Sequence, residues 1–196
     1  MTIDLVVARF NEDISWRGQL RRDARLFVYN KGGGPERRLP NAGREAHTYL
    51  HHMAENRGNF SDWVFFVQGD PLAHCKDFIG IFNTWAASWK KSVLYVAPGQ
   101  VFFSNEPARF LDSVSSGDDA ANDCLGLWGE LFTGRFPENP VFVPGALFAI
   151  TKEMLLRSSP AFYRRAAQLA AKRPRGPWEF ERLWAYLWTS SAATRL

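Results

Sequence analysis

Pro40-Asn41-Ala42-Gly43-Arg44-Glu45-Ala46-His47 opens a helical repeat. Asp62-Trp63-Val64-Phe65-Phe66-Val67-Gln68-Gly69-Asp70 follows it as an apolar run that stops at Gly-Asp. The first stretch reads as a polar, glycine-containing helix start. Ala46, Tyr49, Leu50, Met53 and Ala54 then recur at helical spacing, making one apolar stripe that Arg57-Gly58-Asn59 ends. The second stretch is apolar from Trp63 to Val67, as a central parallel strand covered on both faces requires. Amides at a helix start suit an anion. A carboxylate at a strand's carboxyl end suits a metal ion or a sugar hydroxyl, and open α/β sheets bind ligands at that edge.

Upstream, Ile3 to Phe10 reads as a short buried strand stopped by Asn11-Glu12-Asp13. Ile14 to Leu20 reads as a short helix with Asp13 as its N-cap. Leu26 to Asn30 is a second strand, ended by Lys31-Gly32-Gly33-Gly34-Pro35, which reads as a mobile loop. The order strand, short helix, strand, helix, strand predicts a Rossmann-like, doubly wound α/β sheet flanked by helices. Downstream, Phe78 to Trp89 reads as helix, Val93 to Val96 as strand, and 104–123 as a polar stretch with Ser115-Ser116-Gly117-Asp118-Asp119 its most loop-like part. Val141 to Val143 and Ala146 to Ile150 read as strands broken by Pro144-Gly145. Helix resumes at Lys152 and over Pro160 to Ala171, with a turn over Arg173 to Pro177. A last helix carries Phe180, Leu183, Trp184, Leu187 and Trp188 on one face. With no repeat and no linker, 1–196 is expected to be a single domain.

Eight Trp and sixteen Phe in 196 residues are enough both to fill a core and to line a groove. The formal charge of +4 is mildly basic. Arg17, Arg21, Arg22 and Arg25 form one cluster and Lys172, Arg173 and Arg175 another; either a solvated surface or an anionic partner accounts for them. No aromatic–basic RNA motif or zinc-finger spacing occurs, so nucleic acid is not an expected partner. Cys75 and Cys124 lie outside any CxxC pair and are expected to be free thiols in a reducing compartment. The chain runs into its first strand without a charged leader, and no apolar run reaches membrane-spanning length. A cytoplasmic protein without a membrane span is expected.

Each polar cluster admits a chemical and a structural reading. Asn11-Glu12-Asp13 contacts a nucleotide, or forms a turn with a helix cap. Asn41 caps the helix, Gly43 admits a ligand to the backbone, and Arg44 offers a fork for phosphate oxygens; otherwise this is a capped surface helix with an Arg–Glu face. Arg44 in a first helical turn opposes the helix dipole, and an anionic ligand would account for it. His47 and His51, with His52 beside them and His74 further on, could ligate zinc, but position 48 is Thr where a protease signature has Glu. Asp70 is a hard oxygen ligand for Mg²⁺ or Mn²⁺ that His74 could assist, or the Asp of a β-turn. Glu181 borders the apolar stripe of the last helix and Glu179 lies at its other border. Either is a general base if partly desolvated, or an arginine's partner.

Val6-Val7-Ala8-Arg9-Phe10-Asn11-Glu12-Asp13 resembles the opening strand of GT-A glycosyltransferases. Val28 to Gly32, Pro40 to Leu50, Phe65 to Asp70, Pro144 to Ala149 and Glu181 to Trp184 resemble, in order along nearly the whole chain, a family of unknown function placed beside those enzymes. The Asn-x-Gly-Arg-Glu block is specific; the Gly-Ala-x-Phe-Ala block is more widely shared. The resemblance implies a GT-A fold that transfers a sugar from a nucleoside diphosphate sugar to a hydroxyl of a glycan or small molecule. It implies nucleoside contacts at Asn11, Glu12 and Asn30, diphosphate or sugar contacts at Asn41, Gly43, Arg44 and Gln68, a divalent cation (Mn or Mg) on Asp70 and His74, and Glu181 as base with Glu179 in reserve. The sequence departs from the Asp-x-Asp motif of those enzymes at Gln68-Gly69-Asp70, which leaves one carboxylate. A binding module without turnover, or a zinc hydrolase using His47, His51 and His74, are the alternatives.

Overall fold

The computed structural model describes residues 1–85, 93–105, 109–110, 123–138 and 140–188. Its sheet contains β1 (Ile3–Arg9), β2 (Arg25–Asn30), β3 (Arg37–Arg38), β4 (Trp63–Gln68), β5 (Val93–Ala97), β6 (Gln100–Phe103) and β9 (Phe148–Thr151), ordered β3-β2-β1-β4-β9-β6-β5. A separate ribbon pairs β7 (Arg109–Phe110) with β8 (Val141–Phe142). The helices are α1 (Arg44–Glu55), α2 (Phe78–Asn83), α3 (Cys124–Leu131), α4 (Lys152–Leu155), α5 (Pro160–Lys172) and α6 (Gly176–Leu183). Strands β3, β2, β1 and β4 run parallel, whereas β9 pairs antiparallel with β4, β6 with β9, and β5 with β6. The expected α/β class with flanking helices is what forms, and the sheet is mixed.

Alternation along the central strands divides the core into two layers. Val6, Val64, Phe66 and Phe148 face the layer under α1, α5 and α6, where Tyr49, Tyr163, Phe180 and Trp184 meet them. Leu5, Val7, Phe65 and Val67 face the opposite layer, filled by Trp16, Phe78 and Phe82. Val64 to Val67 are wholly buried because β4 lies between both layers. Each such side chain contributes about 1.5–3 kcal/mol relative to exposure. The stripe of Phe180, Leu183, Trp184, Leu187 and Trp188 is buried as expected.

Several expectations need correction. Residues Ser15–Gln19 form a 3-10 turn, and Asp13 does not cap it; Asp13 accepts from the Ser15 amide and hydroxyl instead, a local Asx turn. The glycine loop is tied down: the Lys31 amide donates to the Arg9 carbonyl, the Gly32 amide to Asn30 Oδ1, and Asn30 Nδ2 to Glu36. Strands β3 and β6 and helix α3 are additional to the expected elements. Helix α2 ends at Asn83, strand β9 begins at Phe148 and not Ala146, and α6 begins inside the expected turn. Residues 86–89 of the expected helix and the loop 115–119 lie outside the described residues.

Gly43 is the N-cap of α1 with φ 61°, and no side chain caps the helix, so the role expected of Asn41 is not filled. A Cβ at Gly43 would lie 2.8 Å from the Ala170 carbonyl oxygen of α5 and 2.8 Å from His47 Cβ. The glycine therefore serves the α1–α5 contact. Gly43→Ala should lower stability by about 1–3 kcal/mol, read as a shifted denaturant midpoint with unchanged slope.

His52 is wholly buried, with Nδ1 3.0 Å from the Tyr29 hydroxyl, and burial holds its imidazole down at about 3. Burial likewise holds His47 at about 4. Both rings are neutral in the folded protein where the unfolded chain would take up protons, below about pH 6.5. Stability should therefore be full above that pH and fall as pH drops from 6.5 toward 4 and then 3, by at most about 1.4 kcal/mol per pH unit for each proton. Urea titrations across that window should show the slope, and His52→Gln should flatten it.

Candidate functional site

The site begins with a lysine. Lys31, just past β2, donates from Nζ to the carbonyls of Ala42 and Arg44, 2.5 Å from each. Its burial lowers the ammonium to about 8, against the opposing pull of Glu45. The two bonds hold a turn in which both Gly43 and Arg44 have positive φ, 61° and 42°. A left-handed arginine costs roughly 1–2 kcal/mol, and two charge-assisted bonds offset that. The turn sends Arg44 outward and Glu45 inward. Arg44 is exposed, its guanidinium 5.1 Å from the Trp178 ring centre, and Arg175 leans on the same ring at 4.4 Å.

Between this turn and the carboxyl ends of β1 and β4 lies a cleft of about 290 Å³. Its exposed rim is Phe10, Glu12, Asn41 and Arg44; Ala8, Arg9, Lys31, Glu45, Thr48 and Gln68 line it further in. Arg9 is braced by Glu36 at 2.8 Å and by the Glu12 carbonyl. The Glu45 side chain is 10% exposed, with Arg44 Nε 3.5 Å away. Burial pushes the Glu45 carboxyl above the usual carboxylate range, and the nearby charge of Glu181 adds to this; its own backbone amide and Arg44 oppose it. Thr48, one turn further along α1, is wholly buried, and its hydroxyl has no hydrogen-bond partner.

A second node stands behind Gln68. Gly145, in the turn before β9 with φ 97°, accepts from Gln68 Nε2 at 2.9 Å and donates its amide to Glu181 at 2.6 Å. A Cβ there would lie 2.9 Å from His74 Cβ. The fold thus gathers Gln68, Glu181 and His74 around one glycine, although 113 positions separate the first from the last of those acids and amides in the chain (68 to 181).

The expected residues divide accordingly. Glu12, Asn41, Arg44 and Gln68 line the cleft. Asn30 is buried and engaged in bracing the loop, so the base contact expected of it is not available. Asn11 lies against Gly32, where a Cβ would meet its Oδ1 at 2.2 Å. Gly43 faces α5 and not the cleft. Asp70 lines an adjoining hollow of about 540 Å³ with Trp16, Gln19 and Glu12, and its Oδ1 caps the turn at Leu72 and Ala73. Gly69 leaves room for Glu12, whose carboxylate a Cβ would meet at 2.5 Å. Glu179 is not a free base: it pairs with Arg173 at 2.6 Å and accepts from the Asp123 amide. His47 and His51 stack in a separate groove beside α5, and His52 is buried against the rings of Phe27, Tyr29 and Phe66.

Lys31, Glu45 and Thr48 were not anticipated as cleft residues. Glu45 and Thr48 stand three apart, so their shared helix face was available as a signal; the position of Lys31 was not. Among the described residues no three His, Cys, Asp or Glu side chains come together to hold a metal ion. Asp70 caps a turn, Gln68 stands where a second carboxylate would be needed, and His74 packs on Gly145. This donor set does not fit a resident divalent cation or a zinc triad. No helix among the described residues is long and apolar enough to cross a membrane. Comparison with family models, curated proteins and solved structures finds no match.

The two acids of α6 should separate experimentally. Glu179→Gln leaves Arg173 short of a buried partner and should cost about 2 kcal/mol or more. Glu181→Gln keeps an acceptor for Gly145 and should cost about 1 kcal/mol or less. Equilibrium unfolding of both variants checks this.

Proposed function

We propose that this chain is a nucleotide-sugar-dependent glycosyltransferase of GT-A type. It would move a sugar from a nucleoside diphosphate sugar to a hydroxyl of a glycan or small molecule. One observation carries the reading: the cleft beyond the carboxyl ends of β1 and β4 has the exposed guanidinium of Arg44 at its mouth, with Arg9, Lys31 and the carboxyl of Glu45 further in. Ligands of open α/β sheets occupy this edge, and Arg forks suit diphosphate oxygens. The exposed Phe10 offers an apolar face for a base, with Glu12 and Asn41 beside it.

In this reading Arg44 faces the diphosphate and offsets the charge that grows on it as the sugar's bond to the diphosphate oxygen breaks. The acceptor hydroxyl approaches from the Gln68–Gly145–Glu181 side. Glu181, oriented by the Gly145 amide, takes its proton while the new glycosidic bond forms. The hollow beside Glu12 and Asp70 lies open to the rest of an acceptor. No step is routed through a metal ion. A second reading, a sugar-nucleotide-binding module without turnover, is favoured by Gln68 standing in place of a carboxylate.

A panel of uridine, guanosine, adenosine, cytidine and thymidine diphosphates and their sugar conjugates tests both by calorimetry and donor hydrolysis. At least one conjugate should bind, with Arg44→Ala weakening it about tenfold or more. Glu181→Gln should bind donor normally and lose turnover. Binding without turnover in the parent chain selects the module, and a panel without binding ends both readings.

A further inference from the structure

Resting on that reading, we infer that Arg175 is the second arm of a diphosphate clamp whose first arm is Arg44, with Trp178 as the residue that positions both. The site would then take a donor linked through two phosphoryl groups in preference to one linked through a single phosphate.

The first support is where the two arginines stand. Arg44 opens α1, and Arg175 is the N-cap of α6. The two helix starts meet on one carbonyl of α5. A Cβ at Gly43 would lie 2.8 Å from the Ala170 oxygen, and a Cβ at Gly176 would lie 2.7 Å from it. Close packing of both glycines therefore fixes how far apart the two arginine backbones sit. A cation at a helix start opposes the helix dipole, and here two such cations are neighbours. Of the late basic cluster, Arg173 is taken up by Asp123, Glu130 and Glu179, and Lys172 lines the groove beside α5. Arg175 turns the other way, to Trp178.

The second support is that the side chains converge. Both guanidinium groups lie on the half-buried Trp178 ring, Arg44 at 5.1 Å and Arg175 at 4.4 Å from its centre. Their central carbons are no farther apart than those two distances laid end to end. The indole attracts each cation, whereas the cations repel one another. An anion carrying two or more charges between them turns that repulsion into attraction. Arg44 also lines the mouth of the cleft, and its side chain is 58% exposed. A pyrophosphate extending out of the cleft meets Arg44 first and Arg175 next. Each planar fork can donate two N–H groups to one phosphoryl group. A single phosphate seated at Arg44 leaves Arg175 unused. Trp178 touches no phosphate in this arrangement; it acts by holding the two forks.

Calorimetry with the mono- and diphosphates of uridine, guanosine, adenosine, cytidine and thymidine tests this. In the series that binds, the diphosphate should bind about tenfold or more tighter than the monophosphate. Arg175→Gln should weaken the diphosphate about tenfold and the monophosphate less than about twofold, whereas Arg44→Ala should weaken both. Arg175→Lys should not restore the loss, because an ammonium lacks the fork. Trp178→Leu should weaken the diphosphate about as much as Arg175→Gln does, and Trp178→Phe, which keeps an aromatic face, should recover most of it. Measuring each variant well below its own melting temperature keeps folding out of the comparison. A diphosphate that binds no tighter than its monophosphate, or that keeps its affinity in Arg175→Gln, overturns the clamp and leaves the nucleotide reading intact. Equal losses of mono- and diphosphate in Arg175→Gln also overturn it, since they mark a general charge effect. Failure of every nucleotide to bind overturns both.

Discussion

One half-buried ammonium organises the candidate site. Lys31 spans the carbonyls of Ala42 and Arg44 at a point where the backbone is left-handed through two successive residues. Those carbonyls lie at the start of α1, where the lysine gives each a charge-assisted donor. The lysine accepts a loss of solvation, seen in its lowered pKa of about 8, to supply them. The direction of two side chains follows from that turn: Arg44 outward onto Trp178 and Glu45 inward. The glycine loop between β2 and β3 is consequently part of the site's wall, held at Arg9, Asn30 and Glu36.

Gly145 is the counterpart on the other side of β4. Its carbonyl and amide are shared out to Gln68 and Glu181, so the end of a parallel strand and the middle of α6 are joined through one peptide unit. The Gln68 amide can donate to a carbonyl, which an ionised carboxylate cannot do. The residue that weakens the case for a metal ion is thus the one that fastens the turn before β9. The neighbouring acids of α6 show how position within one helix turn decides chemistry: Glu179 is neutralised among Arg173 and the Asp123 amide, while Glu181 accepts from a backbone amide beside another acid.

The readable parts of the fold were those with a strong local period. The stripe from Ala46 to Ala54, the unbroken run Val64 to Val67, and the stripe ending at Trp188 all landed in the core, because burial on one face imposes its spacing on the sequence. Short elements were missed or misjudged. Two-residue β3 has no period, and Ser15–Gln19 is too short for its 3-10 geometry to be distinguished from a helical turn. Asn41 carried the chemistry of a helix cap, yet the cap fell to Gly43, because contact with Ala170 of α5 demanded a position without a side chain.

By itself the sequence determined that strands and helices alternate, that the central strand is covered on both faces, and that polar groups collect at strand ends; local periodicity and turn chemistry are sufficient for these. Tertiary structure alone decided which of those polar groups share a cavity. Arg44, Gln68 and Glu12 came together in the cleft, Asp70 went to the adjoining hollow, and Asn30 and Glu179 were absorbed as braces. The partners that settle each fate (Ala42 for Lys31, Gly145 for Glu181, Arg173 for Glu179) are supplied by other elements or other turns of the fold. Desolvation and hydrogen bonding depend on what is near in space, and spacing along the chain carries little record of that.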